Sequence, residues 1–277
     1  MPKHRTVFRR PMFSFVLAIS FIFVFAPNAF AQANLHASLL GPKQRYLALG
    51  DSLAYGYQPD LDFSDGYADD FYSNLKLHGT SSFANMGCPA ETSSTFINGG
   101  CTFSLIRKYI YFSDQLDAAV DYLHYYAGQV SPVTLDIGAN DILPDINKST
   151  CAISPNFQTH LQTVDNNLTK VILPALKSAL TVNGRVTGDL LVMNYYDPYQ
   201  NRCPNTIPYI QMVNQHLAAD VNGYGNIVDV FSAFGGAASP NPNTCNYTWI
   251  CSIFSDIHAT DKGYSVIANA FEARAGY

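Results

Sequence analysis

Beyond residue 31 the chain has no apolar run approaching the ~20 residues that a membrane-spanning helix requires. It has no surplus of basic side chains either: 16 Lys and Arg stand against 21 Asp and Glu, a formal charge of −5. An acidic surface is a poor match for nucleic acid or anionic lipid headgroups, so neither is expected as a partner. There is no Cys-x-x-Cys, and no His-x-x-x-His beside a cysteine, which removes the common zinc patterns. Internal repeats, low-complexity runs and linker-like breaks are missing as well, so a single domain is the simplest organisation.

The first 31 residues read differently from the rest. Lys3, Arg5, Arg9 and Arg10 form a basic start, an apolar run follows from Met12 to about Ala26, and Ala29-Phe30-Ala31 supplies small-x-small residues. That is the pattern of a secretory signal peptide. The rival reading is a membrane anchor, but the run is short for spanning. Cleavage would leave residues 32–277, remove four basic and no acidic side chains, and take the formal charge to −9. The protein is thus expected to be secreted, extracellular or periplasmic.

All six cysteines, Cys88, Cys101, Cys151, Cys203, Cys245 and Cys251, follow the leader. An even count in an exported chain predicts three disulfides. Short loops close most easily, so pairing of sequence neighbours (88–101, 151–203, 245–251) is expected.

Short runs rich in apolar residues predict strands at Tyr46–Leu49, Ser82–Met86, Val133–Ile137, Leu190–Asn194 and Ile227–Val230. Helical spacing appears over Tyr67–Leu77, over Ser113–Tyr126 with Ser113 as N-cap, and over Asn156–Leu180 with a bend or restart at Pro174. It appears again over Ile210–Val221 and over Thr260–Ala275, capped by Thr260 or Asp261, while the stretch from Gly235 to Asn246 reads as loop. Alternating strands and helices predict an α/β fold with a parallel five-stranded, flavodoxin-like sheet covered on both faces.

In such sheets ligands gather outside the carboxyl ends of the strands. Three strand ends carry Gly50-Asp51-Ser52-Leu53, Met86-Gly87-Cys88 and Gly138-Ala139-Asn140-Asp141, and Asp256-Ile257-His258 precedes the last helix. Each piece alone is weak, because Ser52 could simply cap a helix and Gly-Ala-Asn-Asp could simply turn the chain. In this order they resemble the SGNH (GDSL) hydrolases. The likeness runs from Gly50-Asp51-Ser52-Leu53-Ala54-Tyr55-Gly56 to His258-Ala259-Thr260-Asp261-Lys262-Gly263-Tyr264, essentially the whole chain after the leader.

The resemblance implies a three-layer α/β/α fold and hydrolysis of carboxyl esters or related acyl groups. It implies Ser52 as nucleophile and first oxyanion donor, Gly87 as second donor through its N–H, Asn140 as third through its amide, and His258 as base. The chemistry agrees, since a serine hydroxyl needs a base within hydrogen-bond reach and a tetrahedral intermediate needs fixed donors at its oxyanion. No cofactor and no metal are called for. Asp51 and Asp141 are read as turn-fixing residues, and His78, His124, His160, His216 and His36 as surface or packing residues. An α/β-hydrolase elbow, Gly-x-Ser-x-Gly, is excluded because Ala54 occupies its last position.

The chain departs from the family at the triad acid. Family members commonly show Asp-x-x-His, but Ser255 stands there and the aspartate is Asp256, two residues before His258. Asp256 could reach the imidazole, a backbone carbonyl between Trp249 and Ser255 could orient it instead, or Asp256 could serve only as a cap or ion-pair partner. Tyr55, Tyr57, Phe96 and Phe103 either line an apolar acyl site or are ordinary core aromatics in a chain rich in Tyr and Phe. The expected partner is a small-molecule or lipid ester met by a monomer. A carbohydrate O-acetyl esterase, an acyltransferase and a non-catalytic binding module on the same fold are the alternatives.

Overall fold

The computed structural model describes residues 1–3 and 39–277; the rest of the expected leader, with its expected cleavage site and His36, lies outside these residues. Seven strands occur along the described chain: β1 Arg45–Gly50, β2 Ser82–Asn85, β3 Val130–Asp136, β4 Thr181–Val182, β5 Arg185–Val186, β6 Leu190–Met193 and β7 Asn226–Val228. Five form one parallel sheet in the order β2-β1-β3-β6-β7, and β4 with β5 makes a small antiparallel hairpin. Within the main sheet this is the flavodoxin-like order, which reverses between β1 and β3.

Alternation along the strands divides the core. Leu47 and Leu49 of β1 face one side with Val133, Leu135, Leu190 and Val192, while Tyr46 and Ala48 face the other with Leu191, Met193 and Val228. The first face is covered by the helices Gln115–Tyr125, Phe157–Asn167 and Ile207–Val221 through Leu116, Leu123, Leu161, Val164, Val213 and Leu217. The helices Tyr67–Leu75 and Asp261–Ala275 cover the second through Phe71, Leu75, Ile267 and Phe271. The expected three-layer α/β/α arrangement is therefore present.

Several boundaries differ from the sequence reading for identifiable reasons. β3 starts at Val130, three residues early, because a register shift against β1 between Arg45 and Leu47 accommodates Pro132, which has no N–H for the ladder. The helix expected to begin at Ser113 is capped instead by Asp114, whose carboxylate accepts from Asp117 N at 2.8 Å. The long helix restarts at Leu173 after a π-helical turn, Leu168–Ile172, just before Pro174. Part of the expected Gly235–Asn246 loop is the helix Pro242–Tyr247, capped by Asn241 and opened by a proline whose missing N–H costs nothing at that position. The disulfides are Cys88–Cys101, Cys151–Cys203 and Cys245–Cys251, as neighbour pairing predicts.

Candidate active site

The site forms at the carboxyl ends of β1 and β3, where the strand order reverses. β1 ends at Gly50, whose φ of +139° and close contact with β3 exclude a side chain: a Cβ there would lie 2.1 Å from Asp136 O. The chain then enters the short helix Ser52–Tyr55, and the N-cap is Asp51, whose Oδ1 accepts from Leu53 N at 2.9 Å. Ser52 is therefore not the cap. As first residue of the helix, its own N–H has no intrahelical acceptor.

His258 arrives from the far end of the chain. Its Nε2 lies 2.8 Å from Ser52 Oγ and its Nδ1 2.6 Å from Asp256 Oδ1. The same carboxylate oxygen accepts from His258 N at 2.8 Å, closing an Asx-turn that bends the chain between the two residues. The two-residue spacing works because one oxygen meets both the backbone and the ring of His258. Of the three arrangements open in the sequence, the geometry is that of direct carboxylate contact. Tyr57 packs against the imidazole with centroids 4.6 Å apart, and Tyr196 Oη donates to Ile257 O at 2.9 Å, fixing the loop from both sides. Burial opposes ionisation of Asp256, but the hydrogen bonds from His258 and the electrostatic attraction between the two groups outweigh that and hold the carboxyl below its ordinary value.

Asn140 sits in the first turn after β3. Its Nδ2 donates to Glu91 O at 2.9 Å and, over a longer 3.3 Å, to Asp51 Oδ2. Glu91 belongs to a turn closed by Glu91 N to Cys88 O at 3.1 Å, with Pro89 and Ala90 at its centre. Ala90 holds φ +64°, the left-handed conformation of a type II turn. Asp141 ties this region together by accepting from Ser93 N and Ser93 Oγ, each at 2.8 Å.

Gly87, the expected second oxyanion donor, lies two residues past the end of β2. Its N–H already donates to Asn85 Oδ1 at 3.0 Å. Its lack of a side chain serves packing, since a Cβ would meet Tyr55 N at 2.6 Å and Ala54 Cβ at 2.9 Å. Gly87 lets β2 approach the helix that carries Ser52, and it does not line the cavity beside Ser52.

Below Ser52 two buried carboxyl groups, Asp51 and Asp136, face each other. Asp136 Oδ2 accepts from Ala54 N at 3.2 Å and from Asp51 N at 3.3 Å, and Tyr67 Oη donates to Asp136 Oδ1 at 2.6 Å. Burial, and then the charge of Asp51, push the Asp136 carboxyl well above the ordinary range, and burial raises Asp51 as well. None of the sequence motifs included Asp136; its place near the end of a strand was the only available signal.

A cavity of about 80 Å³ opens beside Ser52, Asn140 and His258. Its walls are mostly apolar, with Ile142, Leu143, Tyr195, Tyr196, Ile210 and Val213 among them. The aromatic residues expected to line an acyl site lie elsewhere: Tyr55 and Phe96 are buried, Phe103 is half exposed, and Tyr57 packs on His258. The remaining described histidines stand apart, with His160 paired to Asp145 at 2.7 Å and His216 to Asp165 at 2.9 Å.

The model of the GDSL-like lipase/acylhydrolase family matches residues 48–266, from β1 into the last helix. The chain is a member of that family. No curated protein matches it. Among solved structures, a lipase from a goat rumen metagenome is similar over 85% of this chain and 98% of its own, at 16% identity and a TM-score of 0.59. An acetylxylan esterase from Geobacillus stearothermophilus covers 86% of this chain and 96% of its own, at 16% identity and TM-score 0.53. A phospholipase A1 from Streptomyces albidoflavus NA297 covers 84% and 99%, at 15% identity and TM-score 0.53. At these identities the likeness concerns the shared fold. Membership in the GDSL-like family makes the chain a hydrolase by descent, and among the described residues no helix is long and apolar enough to cross a membrane.

Proposed function

We propose that the protein is an exported serine esterase that cleaves carboxyl esters through an acyl-enzyme on Ser52. The observation that carries this reading is the continuous relay from Ser52 Oγ to His258 Nε2 at 2.8 Å and from His258 Nδ1 to Asp256 Oδ1 at 2.6 Å. In the first step Ser52 Oγ attacks the ester carbonyl while its proton passes to His258 Nε2. The ionised Asp256 accepts from Nδ1–H and stabilises the imidazolium. Negative charge on the former carbonyl oxygen is met by Ser52 N–H and by Asn140 Nδ2. The long 3.3 Å bond from Asn140 to Asp51 is the one that gives way to the oxyanion, while the bond to Glu91 O keeps the amide in place.

Collapse of the intermediate breaks the bond to the alcohol oxygen, which takes the proton from His258. Water then attacks the acyl-enzyme, losing a proton to His258, and a second collapse returns the acid and free Ser52. The apolar walls of the cavity favour a hydrocarbon acyl group over a sugar in that space. The basic-apolar-small leader pattern of residues 1–31 and three disulfides fit passage into an oxidising compartment.

The test compares the protein with its Ser52→Ala variant on a short-chain p-nitrophenyl ester. The reading expects hydrolysis by the parent and loss of nearly all of it in the variant. Equal rates in the two would remove Ser52 as nucleophile.

A further inference from the structure

The chemistry above makes no use of a group of exposed apolar side chains around the site. Residues 101–112 present Leu105 at 100%, Phe112 at 99% and Ile110 at 76% exposure, with Phe103 and Ile106 also exposed. Two residues before Asp256 lies another exposed pair, Ile253 at 96% and Phe254. A lone exposed leucine is ordinary, but this density on a twelve-residue stretch is not.

The two stretches converge on one segment that passes the catalytic histidine. Lys108 Nζ pairs with Asp69 at 2.9 Å and lies 5.4 Å from the Tyr55 ring. Tyr55 contacts Phe63, Phe63 stacks on Tyr57, and Tyr57 packs on His258. From the other side Trp249 Nε1 donates to Gln58 Oε1 at 3.0 Å, and Phe254 meets the Trp249 ring edge-on. Each stretch is also pinned at one end by a disulfide, Cys88–Cys101 for one and Cys245–Cys251 for the other. The apolar tips are thus held on the same side of the fold as the site.

Charge identifies what they meet. Residues 101–112 contain no acidic side chain and two cations, Arg107 and Lys108. Both cations are occupied within the protein. Arg107 donates to Ser104 O and Tyr111 O and stacks on the Tyr111 ring, and Lys108 is held by Asp69. What remains at the tips is apolar, on a chain whose acidic balance repels both an anionic surface and another copy of itself. An ester whose acyl part suits the apolar cavity is itself an amphiphile that gathers at interfaces. We infer that the Leu105–Phe112 stretch and the Ile253–Phe254 tip seat the protein on a neutral or zwitterionic lipid surface, from which the ester reaches Ser52. Delivery to Ser52 rests on the esterase reading; the seating does not.

The experiment is flotation of the protein with phosphatidylcholine vesicles, run in parallel on Ser52→Ala, on Leu105→Ser/Phe112→Ser and on Ile110→Ser. The parent and Ser52→Ala should float equally. Leu105→Ser/Phe112→Ser should lose at least ten-fold in partition and Ile110→Ser several-fold, while both hydrolyse water-soluble p-nitrophenyl acetate within two-fold of the parent. Unchanged partition in these folded variants, or a parent that does not float, overturns the proposal. So does concentration-dependent self-association of the parent that the substitutions abolish without changing flotation, which gives the surface to a second copy. Flotation without hydrolysis of p-nitrophenyl acetate by the parent would strike the esterase reading and leave the seating intact.

Discussion

Asp256 is where residue-level reasoning from sequence stops short. Its spacing from His258 left three arrangements open. The structure selects one through an Asx-turn, in which Asp256 Oδ1 takes both the backbone N–H and the ring Nδ1 of His258. Asp256→Asn removes the charge that stabilises the imidazolium and favours the wrong tautomer, so kcat should fall by about 10²–10⁴ with KM little changed. Steady-state kinetics on a soluble ester checks this, and a near-normal kcat would leave a Ser52–His258 dyad. Asn140→Ala removes a donor aimed where charge develops, and should lower kcat by about 10²–10³. Ser52, Asn140 and His258 were legible because their neighbours form motifs tied to strand ends. Gly87 is harder to read, because a glycine in a motif can serve donation, close packing or both: its N–H meets Asn85 Oδ1, and its missing side chain makes room for Tyr55 and Ala54.

Among the elements, the strands of the main sheet were legible as short apolar runs because they are buried on both faces, and the long helices because burial on one face imposes a period on the sequence. Shorter elements carry no such period. The helices Ser93–Asn98 and Ala139–Ile142 have six and four residues and are defined by caps and side-chain bonds such as those that Ser93 donates to Asp141. The cavity walls were illegible for a related reason: Tyr195, Tyr196, Ile210 and Val213 come from the end of β6 and from a helix far along the chain, and only packing brings them to Ser52. The junction of β1, β3 and the Ser52 helix depends on Asp136. Asp136→Ala would leave Ala54 N–H and Tyr67 Oη buried without this acceptor, at a cost of about 3 kcal/mol. Urea unfolding should show that loss as a lower midpoint with unchanged slope.

For the whole molecule, acidity, three disulfides and a two-faced sheet all follow from counts and patterns in the sequence, whereas the response to pH depends on packing. Asp220 is pushed up to about 7 by burial and by the charge of Asp165. A carboxyl raised in the folded state binds more protons there than in the unfolded chain, so its contribution disfavours folding increasingly as pH rises from about 4 to 7. Asp220→Asn should therefore raise the melting temperature at pH 8 and leave it nearly unchanged at pH 4, as calorimetry at the two values would show. A covalent route through Ser52 can be read out by mass spectrometry of the protein after exposure to an alkyl fluorophosphonate. One adduct per chain is expected, located on the peptide carrying Ser52 and lost in His258→Ala. An adduct at another residue, or ester hydrolysis that persists with Ser52 unmodified, would contradict it.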